Sequence, residues 1–141
     1  MGKFGALAAD ISKPFRVYLL DPVTDQRIKD KDGNEAYVEV YSIIDSDRAI
    51  QFDKEHRTSL ARRARRTEDE DNIRDFNAAK LARLTAGWHL VDPATGETIE
   101  VDCTEANAEE LYSDPGAGWV FRQALLGASD TANFFTRSPK T

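Results

Sequence analysis

The residues with the most capacity for chemistry are spread along this 141-residue chain instead of being grouped at catalytic spacing. Neither His56 nor His89 has Asp, Glu or Cys neighbours at the spacing of a zinc site, and we expect a half-buried, hydrogen-bonded His56. The single cysteine, Cys103, follows Asp102, whose negative charge favours the neutral thiol over the reactive thiolate. The sequence also lacks a glycine-rich phosphate loop and a Gly-x-Ser-x-Gly elbow. We therefore predict a protein that is not an enzyme, with no catalytic residues, cofactor or metal site.

A run of arginines within residues 62–66 is the strongest candidate for an interaction site. Such a run is able to neutralise phosphates and would suit a nucleic acid. However, the acidic run Glu68–Asp71 follows almost at once, the net charge is −6, and no aromatic residues interleave with the arginines for base stacking. The run therefore favours a solvated helix face or a docking site for an acidic protein, and nucleic acid binding is not expected.

The charge is unevenly divided along the chain. Residues 1–66 contain thirteen basic and eleven acidic residues, whereas residues 67–141 contain six and fourteen. This division permits self-association, in which the basic helix of one copy meets the acidic surface of another.

The composition fits one domain with a modest core, because 40% of the residues are apolar and 31% are charged. No apolar run reaches the roughly 18 residues of a membrane span, and the short apolar patch near the start is not a signal peptide. One cysteine rules out an internal disulfide framework. We expect a cytoplasmic protein without membrane contact.

Hydropathy and turn signals predict an α+β fold. An N-terminal antiparallel β-meander contains strands at 15–20 and 36–44, with a turn at Asp21–Asp25 and a short strand near Arg27–Lys29. Two central helices follow, one capped by Asp45 or Ser46 and running to about Arg66, and one that ends near Gly87.

A β-hairpin and short helices complete the predicted order. The hairpin has strands at 88–91 and 98–101, Thr104 caps a helix at 105–112, and a helix at 117–126 precedes a last turn capped by Asp130. The single domain, 1–141, therefore divides into flexible ends (1–13 and 136–141), a β-rich part (14–45), a helical part (46–87), the hairpin (88–102) and a second helical part (104–135).

The C-terminal half has a recognisable layout. The helix at 76–87 leads through Gly87-Trp88 into the hairpin, and Thr104-Glu105-Ala106-Asn107-Ala108 opens the next helix. An Asp114-Pro115 break, a helix with Trp119 and Gln123, and a final Asn133-Phe134 follow. Together with the N-terminal Asp-Pro turn, this layout resembles the small tail assembly chaperones of long-tailed phages over roughly residues 15–135. Here the family's Glu-Asn-Ala motif is one residue longer.

The resemblance implies a non-enzymatic role in virion morphogenesis. Such late proteins bind the long, apolar tape measure protein, keep it soluble and help to recruit tail tube subunits. They act in the host cytoplasm and are absent from the mature virion. The tape measure protein is then the expected partner, with the tail tube protein as a possible second one.

If a partner-binding face exists, we expect it on the first long helix, because its apolar stripe is too thin to be fully buried. The candidate residues are Phe52, Arg57, Leu60, Arg62, Arg63 and Arg66. Two other functions stay open: a structural virion component, such as a tail completion or head–tail connector protein, and a small DNA-binding regulator that uses the arginine run.

Overall fold

The computed structural model of the protein describes residues 7–56 and 70–135, with only the backbone for 70–74. The predicted α+β fold is confirmed: four strands form an antiparallel sheet, and four α-helices accompany it in these ranges. The elements are β1 (Phe15–Tyr18), β2 (Tyr37–Val40), α1 (Asp47–Glu55), α2 (Glu70–Leu84), β3 (Thr85–Val91), β4 (Thr98–Ile99), α3 (Glu105–Ser113) and α4 (Gly118–Ser129). Short 3-10 turns span Pro115–Ala117 and Thr131–Phe134.

The sheet has the strand order β1-β2-β3-β4, so each strand pairs with its neighbours in the sequence. Val17 lies opposite Val38, and Val38 lies opposite Trp88 on the other side. The predicted meander and the predicted hairpin are thus two halves of one sheet, joined where β2 pairs with β3. Both central helices, α1 and α2, are inserted between these two strands.

The turns of the sheet follow their local side chains. Asp21 accepts a hydrogen bond from the N–H of Val23 at 2.8 Å, and Asp92 accepts one from Ala94 at the same distance in the equivalent hairpin turn. Isolated bridges at Leu20–Arg27 and Lys29–Glu35 extend the predicted meander. These Asp-Pro turns form where the sequence predicts them because each depends only on residues next to it.

The first helix is shorter than predicted. Ser46 caps α1, its hydroxyl accepting from the N–H of Ala49 at 3.2 Å, as expected. However, α1 ends at Glu55 with His56 at its C-cap, so a single helix from 46 to about 66 is wrong. Residues 57–69 lie outside the described part of the chain.

The second helix ends in a way that the sequence did not indicate. The chain passes from Leu84 directly into β3, so Gly87 lies inside a strand and not at a helix C-terminus. There it faces Glu39 of β2. A Cβ atom at Gly87 would lie 3.2 Å from Oε1 of Glu39, so the glycine makes room for this carboxylate.

The core lies between the helices and one face of the sheet. Val38, Val40 and Tyr112 are fully buried there. The Tyr112 hydroxyl is 2.7 Å from Oγ1 of Thr85, which itself donates to the carbonyl of Leu81 at 2.8 Å. Burial raises the pKa of Tyr112, so this phenol stays neutral. The end of α2 is therefore tied to α3 through a satisfied polar contact inside an apolar core.

Close contacts fix the last helix to β1 and to Leu20, two residues after β1. The Gln123 amide accepts a hydrogen bond from the N–H of Leu20 at 2.8 Å and donates one to the carbonyl of Leu20 at 2.9 Å. Gly127 lies against Val17. These contacts place α4 on the Val17 side of the sheet.

The segment before β1 also makes contacts. The N–H of Asp10 donates to the carbonyl of Phe134 at 2.6 Å, and the rings of Phe15 and Phe134 meet edge to face. The last part of the predicted flexible start is thus packed against the C-terminal turn. Residues 1–6 and 136–141 lie outside the description.

Candidate functional site

One residue of the predicted partner-binding face, Phe52, lies in the part of the chain that the structure describes. Of its residues, Arg57, Leu60, Arg62, Arg63 and Arg66 lie outside the described residues. Phe52 is described, and its placement as an exposed partner contact is wrong because only 1% of it is exposed. Its ring is stacked under His56 at 4.0 Å and meets Phe76 of α2 edge to face at 5.4 Å.

The reason is the local geometry of α1. Ala49 and Phe52, three residues apart, share the inward face of the helix, and His56 closes over Phe52 one turn later. Nδ1 of His56 lies 2.9 Å from the carbonyl of Phe52, so His56 is a half-buried, hydrogen-bonded side chain, as predicted. The thin apolar stripe of α1 therefore packs inside this chain.

Ion pairs hold α1 against its neighbours. Arg83 of α2 pairs with Glu55 of α1 at 2.7 Å and with Glu105 of α3 at 2.9 Å, while Lys80 pairs with Asp53 at 2.9 Å. The hydrogen bond from Arg83 is the main cause of a lowered pKa at Glu55, which keeps this carboxylate charged. These ion pairs stabilise the packing of α1, α2 and α3 against one another.

A different surface emerges on the side of the sheet away from Val17 and Val38. Side chains alternate along a strand, so Arg16 and Tyr18 of β1 share this side with Tyr37 and Glu39 of β2 and with His89 of β3. We call these five residues, together with Arg27, the open sheet face. Arg16 and Arg27 have side chains that are 45% and 52% exposed.

Aromatic rings form the floor of the open sheet face. The rings of Tyr18 and Tyr37 meet edge to face with centroids 6.5 Å apart, and the ring of Tyr37 lies 6.2 Å from that of His89. The guanidinium of Arg16 lies 3.8 Å over Tyr37, and that of Arg27 lies 4.3 Å over Tyr18. Cations in these positions are attracted to the ring faces and are held in place.

The turn at 30–34 borders this face and is fastened to it. One carboxylate oxygen of Asp30 accepts from the N–H groups of Asp32 and Asn34, each at 2.9 Å, and the other lies 2.9 Å from Nε2 of His89. The backbone hydrogen bond from Asn34 is the largest cause of a lowered pKa at Asp30. Gly33, at φ +87°, supplies the left-handed residue that this turn needs.

The border and the floor together enclose a shallow concavity of about 500 Å³. Its walls come from all three of β1, β2 and β3 and from the turn at 30–34. The lining residues are Arg16, Tyr18, Gly33, Asn34, Glu35, Tyr37, Trp88 and His89. Arginine donors, tyrosine rings and a histidine that converge in this way can bind a ligand by hydrogen bonding and stacking.

The same residues do not form a metal centre. Among the described residues, no group of three or more His, Cys, Asp and Glu side chains is arranged to hold a metal ion. Cys103 is half-buried, and burial, with a smaller contribution from Glu39, raises the pKa of its thiol. The pKa of Cys103 is thus shifted in the expected direction, although burial and not Asp102 is the main cause.

The open sheet face was not found from the sequence. In the sequence its residues show ordinary strand alternation: Arg16 and Tyr18 flank Val17, and Tyr37 and Glu39 flank Val38. The missing information was the register, which brings residues from the N-terminal third next to His89. A search for arginines and aromatics at alternate positions of neighbouring strands would have found it.

Comparisons of the chain with protein-family models, with curated proteins and with solved structures found no match. None of the helices in 7–56 and 70–135 combines the length and the apolar character needed to cross a bilayer.

Proposed function

We propose that this protein is a non-enzymatic tail assembly chaperone of a long-tailed phage, which binds the tape measure protein, keeps it soluble and helps to recruit tail tube subunits in the host cytoplasm. The observation that carries the proposal is the open sheet face. Tyrosine and arginine, together with tryptophan, are enriched among the residues that dominate the affinity of protein–protein interfaces. A shallow face made from them suits a protein partner better than an enclosed reaction site.

The motif layout supports the same proposal. The motifs that carry the resemblance are structural elements: a helix, the Gly-Trp hairpin, the Thr-capped helix, the Asp-Pro break and the Trp-Gln helix. Gln123 clamps Leu20, and Thr104 caps α3 by accepting from the N–H of Asn107 at 3.1 Å. These two motif residues thus have folding roles, which suits a family that shares a fold and a binding role.

The charge distribution also fits a solubilising role. The segment 92–114 contains eight acidic residues and no lysine or arginine. It includes β4 and α3, and Glu97, just before β4, and Glu105 and Glu109 of α3 are exposed. Like-charged surfaces repel one another, so bound copies with this segment outward would keep an apolar partner dispersed.

Co-expression tests the proposal. The tagged chain is produced with the long tape-measure-like protein encoded beside it, and the affinity-purified material is sized. We expect the partner to become soluble and to elute with several copies of this chain, whereas the partner expressed alone precipitates. A partner that stays insoluble while this chain elutes alone contradicts the proposal.

Mass spectrometry of purified phage particles distinguishes the chaperone from the structural virion component. A chaperone is absent from the particle, whereas a tail completion or connector protein is present in it. Detection of this chain at a fixed copy number per particle would replace the chaperone assignment with the structural one.

A further inference from the structure

The open sheet face contains two arginines whose positions are fixed but whose donors are incompletely used. Each guanidinium lies over a tyrosine ring, Arg16 over Tyr37 and Arg27 over Tyr18. Stacking restrains the plane of a guanidinium and leaves the N–H groups along its edge directed sideways. Arginines held in this way lose little conformational entropy when they bind a further acceptor.

The carboxylates on the face engage only part of each guanidinium. Arg27 uses a single nitrogen, Nη1, for both Glu35 oxygens, each at 3.2 Å. Nη2 of Arg16 lies 3.7 Å from Oε2 of Glu39, which is an ion pair beyond hydrogen-bond distance. Arg16 also has a side-chain hydrogen bond with Tyr18. A guanidinium has five N–H donors, so each arginine keeps N–H groups for a further acceptor.

The charges on this face are layered. In each pair the arginine is the more exposed member: Arg16 is 45% exposed against 30% for Glu39, and Arg27 is 52% exposed against 29% for Glu35. Asp30 is deeper still, with 8% of its side chain exposed. The guanidinium groups are therefore the most accessible charges of these pairs to an approaching molecule.

We propose that the open sheet face binds an acidic segment of a protein partner, with partner carboxylates on the exposed edges of Arg16 and Arg27. Partner apolar side chains then enter the concavity beside Tyr18 and Tyr37, whose ring faces the two guanidinium groups cover. A carboxylate matches the two parallel donors of a guanidinium edge. The concavity of about 500 Å³ has room for a few side chains of such a segment.

Charge favours a protein partner over a nucleic acid on this face. Binding of a nucleic acid depends on many contacts between basic side chains and its phosphate backbone. Here Asp30, Glu35 and Glu39 accompany two arginines, and the whole chain has a net charge of −6. Attraction on this face is therefore short in range, which suits a few carboxylates placed among apolar groups.

This inference adds a binding surface and a partner chemistry to the proposed function. It rests on the proposed function only for the identity of the partner. The face itself is testable without any phage protein. A short fluorescein-labelled peptide of Glu, Leu and Gly serves as the probe. The same peptide with Gln in place of every Glu, and a single-stranded oligothymidylate, are compared by fluorescence anisotropy.

We expect the acidic peptide to bind at least tenfold more tightly than the Gln peptide or the oligothymidylate. Arg16→Gln and Arg27→Gln should each weaken binding by about tenfold or more, since each removes charged hydrogen bonds. Arg16→Lys should retain part of the affinity because the charge remains while the bidentate edge is lost. Arg122→Gln is the matched control, because Arg122 is an exposed arginine of α4, which packs against β1 through Gly127 and Val17, and it should leave binding unchanged.

Three results would overturn the proposal: equal affinity for the Glu and Gln peptides, tighter binding of oligothymidylate, or unchanged peptide affinity in a folded Arg16→Gln/Arg27→Gln double variant. Circular dichroism establishes that the variant is folded. If the double variant still holds the tape-measure-like protein as the wild type does, the face is wrong and the chaperone function stands. If the wild type fails to hold that protein but binds the acidic peptide here, the face stands and the chaperone function fails.

Discussion

At Gly127, α4 approaches β1 closely. A Cβ atom added there would lie 2.3 Å from Cγ2 of Val17, closer than any side chain tolerates, while Cβ and Cγ1 of Val17 would be 3.5 Å and 3.6 Å away. The clash involves one methyl group of a stiff, β-branched side chain on β1. Replacing Gly127 by alanine therefore forces either Val17 to change rotamer or α4 to move.

Two opposing effects determine how much Gly127→Ala changes the free energy of unfolding. Alanine inside a helix is favoured over glycine by about 1 kcal/mol. Overpacking of a well-filled contact costs about 1–3 kcal/mol. We expect the clash to win and the substitution to lower the free energy of unfolding by about 1 kcal/mol, which corresponds to a fall of about 4 °C in Tm for a domain of this size.

A double-mutant cycle isolates the clash. Val17→Ala removes Cγ1 and Cγ2, so Gly127→Ala made in that background should regain its helix propensity and raise stability by about 1 kcal/mol. The change of sign corresponds to a coupling of about 2 kcal/mol between the two sites. Urea unfolding followed by circular dichroism measures all four proteins, and Gly116→Ala, whose added Cβ would be 3.4 Å from its nearest neighbour, is the control.

The reasoning is refuted by either of two results. One is a Gly127→Ala protein that is more stable than the wild type, which would mean that α4 does not approach Val17 closely. The other is an equal effect of Gly127→Ala in both backgrounds, which would assign the destabilisation to the helix itself.

Two further substitutions test other contacts. Gln123→Leu leaves the N–H and the carbonyl of Leu20 without their amide partner, and we expect a loss of about 2 kcal/mol in urea unfolding; a loss below about 0.5 kcal/mol would contradict this. The pKa of Asp30 is lowered in the folded state, so its stabilisation is complete above the unfolded pKa of about 4 and is lost as the pH falls through the folded value. Asp30→Asn should therefore lower the urea midpoint at pH 7, and its difference from the wild type should shrink below about pH 4; a difference that is constant with pH would rule out the carboxylate charge as the cause.

The local parts of the fold were predictable because their causes are local. Ser46, Thr104 and Asp130 each accept a backbone N–H two or three residues away, so the helix starts follow from the sequence around them. The Asp-Pro turns of the sheet behave in the same way. The predictions failed at helix ends, at Glu55 and Leu84, where packing against other elements decides the length.

The candidate surface depended on contacts that no local pattern contains. Phe52 looked available because the stripe of α1 is thin, but Phe76 of α2 covers it. Gly87 looked like a helix C-cap, but β2 pairs with β3 and makes it the neighbour of Glu39.

By itself, the sequence determined the class of the fold, the order of its elements, the turns and the caps, since each of these depends on residues within a few positions of one another. Only the tertiary structure decided which strands pair and in what register. That register brings Tyr18, Tyr37 and His89 to one face and lays Arg16 and Arg27 on the rings of the tyrosines. The physical reason is that a shift of one residue in strand pairing would place the opposite set of side chains on this face.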